Sequence, residues 1–208
     1  SAFGWSNTAS AENASAFGYV NAASGLASSA MGFRNKAASE NASAIGYGNN
    51  ANALAASAVG YNNTAGGVGS STIGYNNTAT NENASAFGYG NTAGGLASSA
   101  FGFSNTASGD NANAFGYNNI ASGSKSNVFG TGNTVSGSSS TAVGTANEVA
   151  AENSTAIGNN NTISSGAENS AALGNNISIS LKDSVALGNN STATAINSVT
   201  GNSSYTKW

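Results

Sequence analysis

The side chains able to do chemistry are few and far apart. The chain has 208 residues with no His and no Cys, and its eight acidic and five basic groups amount to 6% of it. Thiol and imidazole catalysis, a disulfide framework and the usual zinc sites are therefore excluded. Cleavage of a glycosidic bond would need paired carboxylates, or a Lys or Arg base in a groove. Glu148 and Glu152 are the closest acids outside a spaced acidic column, and Asp183 sits beside Lys182; all read as surface charge. Calcium would need several carboxylates in one turn, or Gly-Gly-x-Gly-x-Asp repeats, and neither occurs. No cofactor is expected. Arg34 and Lys36 are the only basic cluster in the first 120 residues, too little for a nucleic-acid footprint. They read as a solvated pair or as contacts for an acidic ligand. Asn-x-Ser/Thr phrases begin at Asn13, Asn41, Asn62, Asn76 and Asn83, matching a glycosylation pattern, though repetition alone also accounts for them.

What positions these residues is a repeat. A Gly follows a large apolar residue at Gly4, Gly18, Gly32 and onward to Gly158 in unbroken steps of 14, then at Gly174 after a step of 16, and at Gly188. Fourteen residues are too few for a helix pair. Taking the Ser that opens each unit as position one, Ser-Ala-Phe-Gly-Tyr alternates like a short strand. Asn-Thr-Ala reads as a second strand after a turn, and the small polar tail as another turn. One unit is then one flattened coil, and coils stack by parallel pairing at about 4.8 Å. The fold class is all-β, a parallel β-solenoid (β-roll) of 14-residue coils. With 39% hydrophobic residues the chain does not read as disordered. It lacks an apolar run long enough to span a bilayer, so no membrane contact is expected of this segment. The absence of a basic-then-apolar leader is expected of an excised or mature segment.

Stacking turns positions into columns. Position seven gives an expected ladder of amides: Asn7, Asn21, Asn35, Asn49, Asn63, Asn77, Asn91, Asn105, Asn119, Asn133, Asn147 and Asn161, bonded from coil to coil. Position three holds Phe3, Phe17, Met31, Ile45, Val59, Ile73, Phe87, Phe101, Phe115, Phe129, Val143 and Ile157. This stripe is expected to fill the core opposite the small residues of position nine, large against small. Positions two and four would then lie on the outer face of that strand. Position five is aromatic for nine units, Trp5 to Tyr117; those rings either cap the roll's edge or face another subunit. Position twelve alternates acids (Glu12, Glu40, Glu82, Asp110) with Leu26, Leu54, Val68 and Leu96, so like charges never sit in adjacent coils. These aliphatic residues, with Arg34 and Lys36, are candidate ligand contacts, or else subunit packing.

Ser-Thr-Ala-Ile-Gly-Asn-Asn-Asn-Thr (154–162) and Ser-Val-Ala-Leu-Gly-Asn-Asn-Ser-Thr-Ala (184–193) closely resemble the repeat of YadA-like head domains. The resemblance covers residues 1–193. It implies a left-handed roll, assembly with two further copies into a homotrimer, and display on the surface of a Gram-negative cell through an outer-membrane anchor absent from this chain. It also implies binding to host matrix proteins or cell-surface receptors. The aromatic position five and the Ala-rich position two depart from the family's best-known repeat.

Near the C-terminus the register changes. Ser164-Ser165-Gly166-Ala167 carries two extra residues, and Ile177-Ser-Ile179-Ser-Leu181 reads as a longer alternating strand replacing the Asn position. Residues 194–208 are expected to leave the roll toward a neck, stalk or second head. The functional expectation is a non-enzymatic adhesin head. A passive spacer is one alternative. An ice-binding array on the position-eight threonines is another, although Ala22, Lys36, Asn50, Ile120 and Glu148 interrupt that column.

Overall fold

The computed structural model describes residues 1–194. The segment expected to exit the roll lies, apart from Thr194, outside the described residues. Two compact units follow one another, Ser1–Asp110 and a second beginning at Asn111, and every regular element in both is a strand. In the first, eight long strands run from Ala2–Trp5 through Ser15–Tyr19 to Ser99–Phe103, each followed by a two-residue strand such as Thr8–Ala9 or Thr106–Ala107. Like strands pair in parallel with a 14-residue offset, as in Phe17↔Met31 and Thr64↔Thr78. The turns stack as well. Val20 N–H donates to the Trp5 carbonyl at 3.0 Å and Ala27 N–H to Glu12 at 2.9 Å, so corner amides also find partners in a neighbouring coil.

Each coil is two similar halves seven residues long. Positions six and thirteen both take left-handed backbone, for example Val20 (φ 56°) and Asn13 (φ 58°), and so turn the chain twice per coil. Positions two and nine both point inward: Ala16, Ala30 and Ala44 form one buried cluster with Ala23, Ala37 and Ala51. Positions seven and fourteen fill the two inner corners, Asn at one and Ala or Ser at the other.

The interior is thus lined by the small residues, and the expected apolar core stripe is corrected. Phe3, Phe17, Met31, Ile45, Ile73, Phe129, Val143 and Ile157 are exposed, Phe17 by 51%, while Val59, Phe87, Phe101 and Phe115 are half-buried. The alternation is as expected, with two and four on one side of the strand and three on the other, but the inner and outer sides are exchanged. The reason is width: with both walls of the roll closing on a single layer of Ala, a Phe has no room. Position two keeps a near-constant small volume, Ala except at Thr72 and Val128, whereas position three ranges from Val to Phe. A close-packed core tolerates the first pattern and not the second. Gly at position four follows instead from the close stacking of successive coils and from a positive φ. A Cβ on Gly18, whose φ is +120°, would lie 2.1 Å from the Gly32 carbonyl oxygen and 3.0 Å from the Asn21 amide nitrogen.

The second unit repeats the plan with six long strands, Asn113–Tyr117 to Val185–Asn189, and a larger interior containing Val128, Val135, Val149, Ile163, Ile177 and Ile179. The two extra residues, Ser165 and Gly166, form an exposed turn in which the N–H groups of Gly166 and Ala167 both donate to the Ser164 carbonyl at 2.9 Å. Thr155 therefore pairs with Ala171 with no loss of register. The longer strand expected around Ile177 is not formed; Ser178–Ile179 has the usual two residues. Ile177 and Ile179 are both buried because they occupy positions seven and nine, the inward corner before the short strand and the strand's inward-facing residue.

Candidate functional site

The surface that could meet a partner is held from behind by hydrogen bonds. Asn63 shows the pattern. Its Nδ2 donates to the Val59 carbonyl of its own coil (3.0 Å), to the Gly74 carbonyl of the next (2.7 Å) and to Asn49 Oδ1 of the one before (3.0 Å). Its Oδ1 accepts from Asn77 N and Nδ2 at 2.9 and 3.0 Å. Two hydrogens serve three acceptors, so one is shared. The same bonds join the position-seven residues from Asn7 to Asn91 in succession, and they recur from Asn133 to Asn161 in the second unit. At position fourteen of that unit a hydroxyl repeats the device. Ser140 Oγ accepts from Ser154 N at 3.0 Å and donates to the Ala151 carbonyl at 2.8 Å, and Ser154 and Ser170 continue the series. Position seven ends its ladder at Ile177, whose N–H still donates to Asn161 Oδ1 at 3.0 Å.

These inner ladders fix the long strands in register, so their outer residues line up. In the first unit Trp5, Tyr19, Phe33, Tyr47, Tyr61, Tyr75, Tyr89 and Phe103 stack in one column with centroid separations of 4.6–5.1 Å and planes within 14°. Position three lies on the same face two residues away, with ring pairs Phe3–Phe17 at 5.1 Å and Phe87–Phe101 at 4.7 Å. Eight rungs of two apolar columns, at rung and residue spacings of about 4.8 and 3.3 Å, cover on the order of 400 Å² once side-chain width is included. Tyr47, Tyr75 and Tyr89 are 40–47% exposed within this face. The signal for this surface is present in the sequence, because residues three and five of one strand must share a side.

The second unit presents a different face. Position three stays apolar, with Phe115 and Phe129 stacked at 5.4 Å, followed by Val143, Ile157, Leu173 and Leu187. Position five becomes polar, and Asn159 donates to Asn175, and Asn175 to Asn189, at 2.7 Å each.

The remaining candidates lie elsewhere on the first unit. Leu26, Leu54, Val68 and Leu96 are 43–45% exposed on the turn opposite the short strand's entry. Between them stand the acids, of which Asp110 Oδ1 accepts the Leu96 N–H at 2.9 Å. The Arg34 guanidinium sits 5.1 Å from the Phe33 ring centroid, within cation–π range. Lys36 is exposed at the start of a short strand, Lys36–Ala37, and the buried Asn35 separates it from Arg34. The position-eight threonines Thr64, Thr78, Thr92 and Thr106 are half-buried on the outer side of consecutive short strands. Among the described residues no group of three or more acids converges as a cation would require.

A family model described as the YadA head domain repeat, built of two copies, matches residues 1–20, 23–49, 37–63, 65–91, 93–119, 136–161 and 182–199. Residues 162–181, which contain the two-residue insertion and Ile177, fall between matches. No curated protein matches the chain.

Proposed function

Because the chain belongs to the YadA head family, we propose that it is the head of a trimeric autotransporter adhesin, attaching the bacterial surface to host matrix proteins or cell-surface receptors. The family is one of structural adhesins at the bacterial surface, general to which is self-association as trimers. For this chain the left-handed sense of the roll, the trimer, the outer-membrane anchor and the non-enzymatic role are proposals resting on that membership. The observation that carries the reading is the two-column apolar face of the first unit. Its extent, about 400 Å², matches the largest apolar patch an ordinary monomer exposes, a patch that is often functional, and an array of flat rings in fixed register is a surface on which a second copy packs. Facing the other subunits with positions three and five leaves the position-twelve edge and Lys36 on the outside, with Arg34 at the border beside the Phe33 ring. There Leu26, Leu54, Val68 and Leu96 are available to a receptor. Three copies of a repetitive edge supply avidity, so each contact need only be weak.

Sedimentation velocity of the whole chain followed by a binding panel of collagen, fibronectin, laminin and epithelial cells tests both halves of the reading. A trimer that binds one of these, and loses binding when Leu54 and Val68 are replaced by Ser, is the expected result. A trimer that binds none assigns the segment the role of a spacer. A monomer at high concentration removes the assembly on which the reading depends.

A further inference from the structure

The Asn-x-Ser/Thr phrases acquire a meaning that repetition does not give them once the chain is folded. Two populations of asparagine stand next to each other in every few coils. In Asn62-Asn63-Thr64 the second Asn is buried with its amide engaged by three acceptors, 2.7–3.0 Å away. The first stands at the corner with φ 51° and is exposed. The same holds for Asn76 (φ 54°), and at the other corner for Asn13, Asn41, Asn83 and Asn153 (φ 53–58°). None of these six side chains makes a side-chain hydrogen bond among the described residues, in contrast to the position-seven amides. Each is followed two residues later by Ser15, Ser43, Thr64, Thr78, Ser85 or Thr155. That hydroxyl opens a strand at position one or eight, on the outward side, because positions two and nine point in.

Corner geometry alone does not demand Asn, since Ser6, Val20, Ala27, Arg34 and Lys125 adopt the same left-handed backbone. Every described corner Asn of an Asn-x-Ser/Thr triplet is exposed, Asn160, Asn176 and Asn190 included, though Asn160 Nδ2 donates to Asn176 Oδ1 at 2.8 Å and the exposed corners Asn111, Asn118 and Asn169 lack the hydroxyl. No position-seven Asn has a hydroxyl two residues on, because position nine is always Ala, Val or Ile.

We propose that these corner asparagines are N-glycosylation sites that take a sugar activated as a diphosphate ester. The amide nitrogen attacks the anomeric carbon and a C–N bond forms. The C–O bond to the diphosphate breaks, the diphosphate leaves with the electron pair, and the amide proton passes to a base of the transferase. No oxidant or reductant enters. A position-seven amide cannot follow, because its hydrogens are committed to the ladder and no space adjoins it. Spacing sets occupancy: Asn13 and Asn41 are two coils apart, about 9.6 Å, whereas Asn62 and Asn76 are neighbours at about 4.8 Å. Chains bearing sugar on both of the latter are therefore scarcer than chains bearing it on both of the former.

Two samples test this by intact mass and peptide mapping: folded chain incubated with a soluble N-glycosyltransferase and a nucleoside diphosphate hexose, and chain recovered from the cells that display it. Hexose increments at Asn13, Asn41 and Asn83 are expected, and Asn41→Gln removes only its own increment while the circular dichroism spectrum is unchanged. In the recovered chain, single hexoses identify a nucleotide-linked donor and block transfer of a larger glycan identifies a lipid-linked one. Unmodified corners in both samples, or modification only after the chain has been unfolded, would overturn the proposal.

Discussion

At the scale of the residue, the position-seven Asn does what no other side chain can. It offers two hydrogens to carbonyls and an oxygen to the next backbone N–H, within a corner sealed from water. Asn63→Ala leaves the Val59 and Gly74 carbonyls and the Asn77 N–H without these partners. At roughly 1–3 kcal/mol per orphaned group it should cost about 3 kcal/mol or more, read from the shift in urea midpoint at constant slope. Asn63→Asp makes the pH test. Its buried carboxylate would face those carbonyls, which raises its folded pKa above the unfolded value. Stability of that variant should accordingly be greatest in acid, where the folded form keeps an O–H donor, and fall as pH rises through and above the carboxylate range. The native chain, with an amide at that place, should show no such fall from this site. Gly74→Ala tests the tight stacking: its Cβ would meet the Gly88 carbonyl oxygen at 2.1 Å with φ +120°. Loss of the folded baseline at room temperature is the expected reading in thermal melts.

At the scale of the element, the long strand carries opposite demands on alternate residues. Ala58 is buried and Val59, its neighbour, faces outward. Val59→Phe adds a ring to a column that already holds Phe in six other coils, and its effect on the folding of a single chain should stay within about 0.5 kcal/mol, as for surface changes generally. Ala58→Phe pushes the same ring into a single-layer core and should unfold the coil stack, a cost at or beyond the 1–3 kcal/mol of ordinary overpacking. Equal effects from the two substitutions in a chemical melt would contradict the inward placement of position two. The inner corner of the second unit shows that the element tolerates a different donor. There Ser at position fourteen carries out half of the Asn role, seven residues further along the coil.

At the scale of the whole molecule, the prediction concerns assembly. Ile73→Arg places a charge in the middle of the apolar face, between rungs whose rings stack at 4.8–4.9 Å. If three copies pack through that face, the substitution leaves the strand signal in circular dichroism intact and lowers the sedimenting mass from trimer toward monomer. An unchanged trimer would place the subunit contact on another surface. In the proposed reading, the acidic and aliphatic edge at position twelve is the part of the molecule left to meet a receptor. Leu54→Ser with Val68→Ser should therefore weaken adhesion several-fold without altering mass.

Much of this was legible before folding, because repetition converts a sequence into columns. The step of 14, the constancy of Asn at position seven and the alternation around Gly at position four together determine coils, parallel register and amide ladders. So do the two turns, since short polar segments must bring the chain back within one rung. The family was also legible, from Ser-Val-Ala-Leu-Gly-Asn-Asn-Ser-Thr-Ala and its spacing. Which side of the strand is inside was not. Hydrophobicity ranks Phe17 above Ala16 for burial, and only the separation of the two walls, set by backbone hydrogen bonds around both corners, leaves space for a methyl group and not for a ring. Period-two alternation is symmetric with respect to inside and outside; the sequence by itself determined the columns, and the width of the closed coil decided which of them became the core and which became the face.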